Sequence, residues 1–83
     1  MNYQPVNEPI TVDCLFKNPG ILPKAFVWRN RAYQVTNING QWQRREGKFL
    51  VYCFAVSDAH SNTYEIEFNT KDMRWRLIKV AFE

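Results

Sequence analysis

At 83 residues the chain has room for one domain and no second. Apolar residues at 46% and aromatics at 16% support a packed core without staples, and a net charge of +3 is basic but not extreme. No apolar run approaches the roughly 20 residues of a membrane-spanning helix, and Met1 to Pro5 carries neither a basic nor an apolar signal region, so no membrane association and a cytoplasmic location are expected.

Residues 1–9 contain Pro5 and Pro9 without periodicity and read as an extended N-terminal leader, with residues 10–83 forming a single β domain. From Ile10 the signal is alternation. Ile10, Val12, Cys14 and Phe16 give a first strand, ended by Asn18-Pro19-Gly20. Phe26 and Trp28 alternate next, then Tyr33 and Val35. A two-residue turn at Asn30-Arg31 is expected to set Trp28 opposite Tyr33 and Phe26 opposite Val35.

Asn39-Gly40 has hairpin chemistry, but a tight turn there would pair Val35 with Arg44 and Asn37 with Trp42, mixing core and solvent positions. A bend or bulge is expected instead. Lys48 to Ser57 is the longest strand and apolar on both faces, so it must be covered on both sides, by a curling sheet or by a partner. In the last hairpin a four-residue loop at Asn69 to Asp72 is expected to place Phe68 opposite Met73 and Ile66 opposite Trp75. The same register sets Glu67 against Arg74 and Glu65 against Arg76. After Leu77 the apolar parity switches to Ile78, Val80 and Phe82, the mark of a bulge or sharp bend. The expected fold is all-β: a single small antiparallel domain of five or six strands, as a strongly bent sheet or small barrel.

Catalytic chemistry finds no purchase. His60 is the only histidine, and a triad with Asp58 and a neighbouring serine fails because adjacent side chains in one turn cannot form the relay. Cys14 and Cys53 lie in separate apolar runs, as buried reduced thiols do, and one histidine with two remote cysteines makes no tetrahedral metal site. Glu65 and Glu67, about 7 Å apart along a strand, have arginine partners in the expected register. No enzyme activity, metal or cofactor is expected.

Once Arg74 and Arg76 are assigned to those pairs, the remaining cations gather at Arg29 and Arg31 and at Arg44, Arg45 and Lys48, with Trp42 beside the second group. Arginines near an accessible aromatic suit a surface that tracks phosphates and stacks a base. The expected function is therefore a non-catalytic binding module for DNA or RNA through these six residues. The rival is protein interaction or self-association through Phe49, Val51 and Cys53, or through an exposed sheet edge.

The order Pro9-Ile10-Thr11-Val12, then Phe26-Val27-Trp28-Arg29-Asn30-Arg31-Ala32-Tyr33-Gln34-Val35, then Trp42, the run Phe49 to Val56, Tyr64-Glu65 and Trp75-Arg76-Leu77, resembles a small uncharacterised bacterial domain. That domain occurs alone or with DNA-polymerase-like proteins of the Y family. The resemblance spans Ile10 to Val80, with Asn30 standing where glycine is expected. It implies an association with DNA metabolism and assigns no functional residue.

Overall fold

Alternation of buried and exposed side chains is carried through into seven strands in the computed structural model, which describes residues 2–17 and 20–82. They are β1 (Gln4–Lys17), β2 (Gly20–Trp28), β3 (Arg31–Gln34), β4 (Asn37–Glu46), β5 (Phe49–Ser57), β6 (Thr63–Asn69) and β7 (Arg74–Ala81). They form one antiparallel sheet in the order β3-β2-β1-β7-β6-β5-β4. The expected five or six strands are thus seven, and no ladder joins the two edge strands, so the sheet is open where a small barrel would close.

The extra strand is β4. It escapes an alternation test because it lies at an edge, is polar almost throughout, and carries an unpaired Asn39 between Ile38 (opposite Val56) and Gly40 (opposite Ala55). That bulge is the irregularity expected at Asn39-Gly40. Gly47, at φ 61, opens the two-residue turn between Glu46 and Phe49, as a type II′ hairpin requires.

The segment read as a leader runs into the sheet. Gln4 to Ile10 pairs with β7, and Thr11 to Lys17 with β2. Pro5 and Pro9 are accommodated because this half of β1 has a strand on one side only. Asn18 and Pro19, the expected turn after β1, lie outside the described residues.

The sheet curls tightly. Tyr33 on β3 and Tyr64 on β6 stand four places apart in the strand order, about 19 Å in a flat sheet, yet their ring centroids are 5.5 Å apart. Phe26 stacks on Tyr33 at 5.1 Å and meets the edge of Tyr64 at 5.1 Å. Inside the curl lie Phe26, Trp28, Phe54, Val56, Ile66, Phe68, Trp75, Leu77 and Val80. Only Val35 and Thr36 separate the two edge strands. The Val35 N–H donates to the Lys24 carbonyl and the Thr36 N–H to the Ser57 carbonyl, both at 2.9 Å, so the chain itself crosses from one edge to the other.

Both hairpin registers differ from expectation by two residues, which preserves the faces. Phe26 lies opposite Tyr33 and Trp28 opposite Arg31, because the turn is Arg29-Asn30, with φ of 51 and 63, the type I′ signature. In the last hairpin Phe68 faces Trp75, Ile66 faces Leu77, Glu67 faces Arg76 and Glu65 faces Lys79. Met73, expected in the strand, instead closes the turn at φ 60. Ile78 is left unpaired between Leu77 and Lys79, a bulge where the parity switches.

A candidate binding cleft and the placement of the charges

The free edges of the open sheet define a cleft of about 430 Å³. One wall is β2 at Gly20 to Leu22, and the other is β4 at Gln41 to Gln43; Tyr52 and Phe54 form part of its lining. Among the described residues Lys17 is the only charged one lining it, and no carboxylate does. A shallower hollow shares Lys17, Ile21 and Tyr52 and adds Phe16, which is 72% exposed.

Ladder geometry says what the two walls offer. Glu46 and Phe49 flank a two-residue turn, so they form a hydrogen-bonded pair, and the groups of Arg44 and Trp42 also turn toward β5. The N–H and C=O groups of Gln41, Gln43 and Arg45 therefore point to the free edge. By the same alternation from Lys17–Gly20, Ile21 directs both backbone groups away from β1. Pro23, with no N–H to donate, occupies the next such position. Two strand edges with unpaired backbone groups thus border one apolar, acid-free cleft.

Trp42, 44% exposed, stands on the β4 wall of the cleft. The basic residues separate into two groups. Arg29 and Arg31 lie at the β2–β3 turn, whereas Arg44, Arg45 and Lys48 lie at the β4–β5 turn. β3 and β4 lie six antiparallel steps apart and so run in the same sense. With only two residues between them, the two basic groups fall at opposite ends of the 31–46 segment.

Two of those cations are also bound within the domain. Arg29 grips Glu8 with Nη2 at 2.5 Å and Nε at 3.0 Å, while the Trp28 indole donates to the same carboxylate at 2.8 Å. These hydrogen bonds, Arg29 first, hold the Glu8 carboxyl below its usual range. Arg44 binds Glu67 through Nη1 and Glu46 through Nη2 at 3.0 Å. Its Nη1 also lies 3.5 Å from Cys53 Sγ. Burial pushes the Cys53 thiol up, and the nearby Glu67 adds to this. Both cysteines are free thiols.

The second apolar face of β5 is covered by the chain itself. Val51 is 0% and Cys53 1% exposed, leaving Phe49 half-buried beside Lys48, whose ammonium lies 5.6 Å from its ring centroid. The Phe49, Val51 and Cys53 face thus offers little free apolar surface.

Asp58 has a structural part. Its carboxylate accepts hydrogen bonds from the His60 and Asn62 amides at 2.9 and 3.0 Å, the Asn62 side chain at 3.3 Å and the Tyr64 hydroxyl at 2.7 Å. Burial alone would raise this carboxyl; the bonds from Tyr64, His60 and Asn62 outweigh it and hold it below its usual value of 3.8. A carboxyl lowered by folding stabilises fully above its unfolded value, and that contribution is lost as pH falls through the folded one. Melting temperatures should hold steady above about pH 5 and drop below about pH 4. Asp58→Asn should lower the melting temperature at neutral pH and flatten the acid drop; an undiminished drop would assign the response to other carboxylates.

Among the described residues no three His, Cys, Asp or Glu side chains group as a metal site, and no helix is long and apolar enough to cross a membrane. A curled, open, seven-stranded antiparallel sheet with an edge-to-edge cleft defines a small all-β domain. The chain belongs to the family described as Domain of unknown function (DUF6504), whose model matches residues 1–81. No curated protein and no solved structure matches it.

Proposed function

We propose that this domain is a non-catalytic binding module of the cytoplasm that accepts an extended polypeptide segment as an added strand. The observation that carries this reading is the pair of unpaired strand edges, β2 and β4, lining one apolar, acid-free cleft. A cleft of about 430 Å³ suits a few side chains of such a segment. Main-chain hydrogen bonds would supply affinity and the cleft would select alternate side chains. Lys17 at the cleft, with Arg45 and Lys48 on the β4–β5 hairpin, favours segments flanked by acidic residues.

The test is selection from a phage-displayed peptide library, followed by titration of the winners into wild type and two variants. Gln43→Pro removes an edge N–H without touching a β5 bond, and is expected to weaken binding at least tenfold while the domain stays folded. Trp42→Ala is expected to erase the ligand-induced fluorescence change and to alter stability by no more than about 0.5 kcal/mol. Peptides that bind Gln43→Pro as tightly as wild type would overturn strand addition.

A second reading is single-stranded nucleic acid, favoured by the exposed Trp42 with Arg45 and Lys48 on one hairpin. The expected company of Y-family polymerase-like proteins belongs to the same proposal, since it would bring both nucleic acid and partner chains within reach. Oligonucleotide binding that falls steeply with salt and is lost in Trp42→Ala, with no peptide enriched, would select this reading.

A further inference from the structure

The two arginines expected to be paired have no carboxylate partner among the described residues. In the observed register Glu67 lies opposite Arg76 but gives its carboxylate to Arg44, and Glu65 meets Lys79 at 3.9 Å. Arg74 and Arg76 are thereby left on the outer face of β7, alternating along one strand and so about 7 Å apart. Both are exposed.

They line a hollow of about 370 Å³ with Asn7, Asn69, Arg44, Glu46 and Glu67. Both carboxylates are turned to Arg44, a cluster of net charge −1, while Arg74 and Arg76 place two positive charges on the β7 side, so the hollow is positive by one overall. Arg76 donates through Nη2 to the Asn7 carbonyl, a neutral acceptor that fixes the guanidinium without cancelling it. Asn7 lies in the irregular stretch of β1 between Pro5 and Glu8, at φ 55. The Asn69 Oδ1 accepts the Lys71 N–H at 2.9 Å, so its amide NH₂ points away from that bond. The Arg74 side chain has no partner among the described residues; its backbone N–H donates to Asp72 at 3.2 Å.

We infer that this hollow is an oxyanion site for a phosphate or phosphodiester group, bracketed by the guanidinium groups of Arg74 and Arg76 and bonded by the Asn69 amide. Guanidinium forks match the oxygens of such a group, and two forks from one strand face can hold it from both sides. The site is independent of the cleft and does not rest on the peptide reading. Its ligand is either a free phosphate or the backbone of a nucleic acid.

NMR separates these sources. Inorganic phosphate and a single-stranded oligonucleotide are titrated separately into wild type and Arg74→Gln, following the Arg74 and Arg76 Nε–H and the Asn69 side-chain amide. Saturating shifts of all three in wild type, with affinity read from Arg76 and Asn69 weakened at least tenfold in Arg74→Gln, support the site; response to phosphate identifies a free anion, and response to the oligonucleotide alone identifies a backbone phosphate. Arg74→Gln is chosen because Arg76 also secures β1. Signals that never saturate with either titrant, or equal binding by Arg74→Gln, would overturn the inference.

Discussion

Tyr64→Ala is expected to cost about 3–5 kcal/mol, enough to leave much of the population unfolded at 37 °C. Tyr64 is 1% exposed, with its ring 5.1 Å from Phe26, 5.5 Å from Tyr33 and 6.5 Å from Phe82. Truncation would open a cavity where strands from distant places in the sheet meet, and the backbone cannot collapse into it without flattening the curl. Tyr64→Phe separates the ring from the hydroxyl. It should cost about 1–3 kcal/mol, because Asp58 loses a donor while the packing survives. Burial, reinforced by Asp58, raises the Tyr64 phenol, so it remains a donor at neutral pH. Denaturant unfolding of the two variants measures both quantities; equal losses would show that the ring is incidental.

Trp75→Ala is expected to cost a similar 3–5 kcal/mol. Its ring, 9% exposed, lies 5.0 Å from Phe68 and 5.9 Å from Phe54. In a domain of this size each kcal/mol moves the melting temperature by about 4–8 °C, so the shift should exceed roughly 12 °C. Trp42→Ala provides the contrast, since that ring is half in solvent. A Trp75 variant that melts within a few degrees of wild type would remove this side chain from the core.

Local alternation carried much of the fold. Phe26 and Trp28, Tyr64 to Phe68, and Trp75 and Leu77 each point inward as their spacing implies, and the parity switch at Ile78 marked a real bulge. Turn register was less legible. Arg29 and Met73 occupy positive φ although neither residue type favours it, because core pairing of Phe26 with Tyr33 and Phe68 with Trp75 decides where the chain reverses. β4 was hidden because an edge strand beside a cleft has no need of apolar alternation.

The candidate sites were harder still to read. Trp42 was visible as an aromatic among polar residues. The facing edges were not, since β2 and β4 meet across the cleft only through the curl. Arg29 finds Glu8 and Arg44 finds Glu67, partners 21 and 23 residues away in sequence. Inspection of neighbours alone therefore missed these pairs: two of the five cations expected to be free, Arg29 and Arg44, are bound, while Arg74 and Arg76, expected to be paired, have no carboxylate partner among the described residues.

The position of β7 has a consequence for how the molecule is made. It lies between β1 and β6 in the sheet order, so without it the remaining strands form two separate three-stranded pieces, β3-β2-β1 and β6-β5-β4. During synthesis each piece can assemble from neighbours in the chain, but the edges of β1 and β6 stay bare until residues 74–81 emerge. β7 then arrives as a keystone, inserting Trp75, Leu77 and Val80 between two waiting half-shells. The nascent protein is most exposed to wrong strand partners just before its seventh strand appears, and cooperative folding is deferred to that moment.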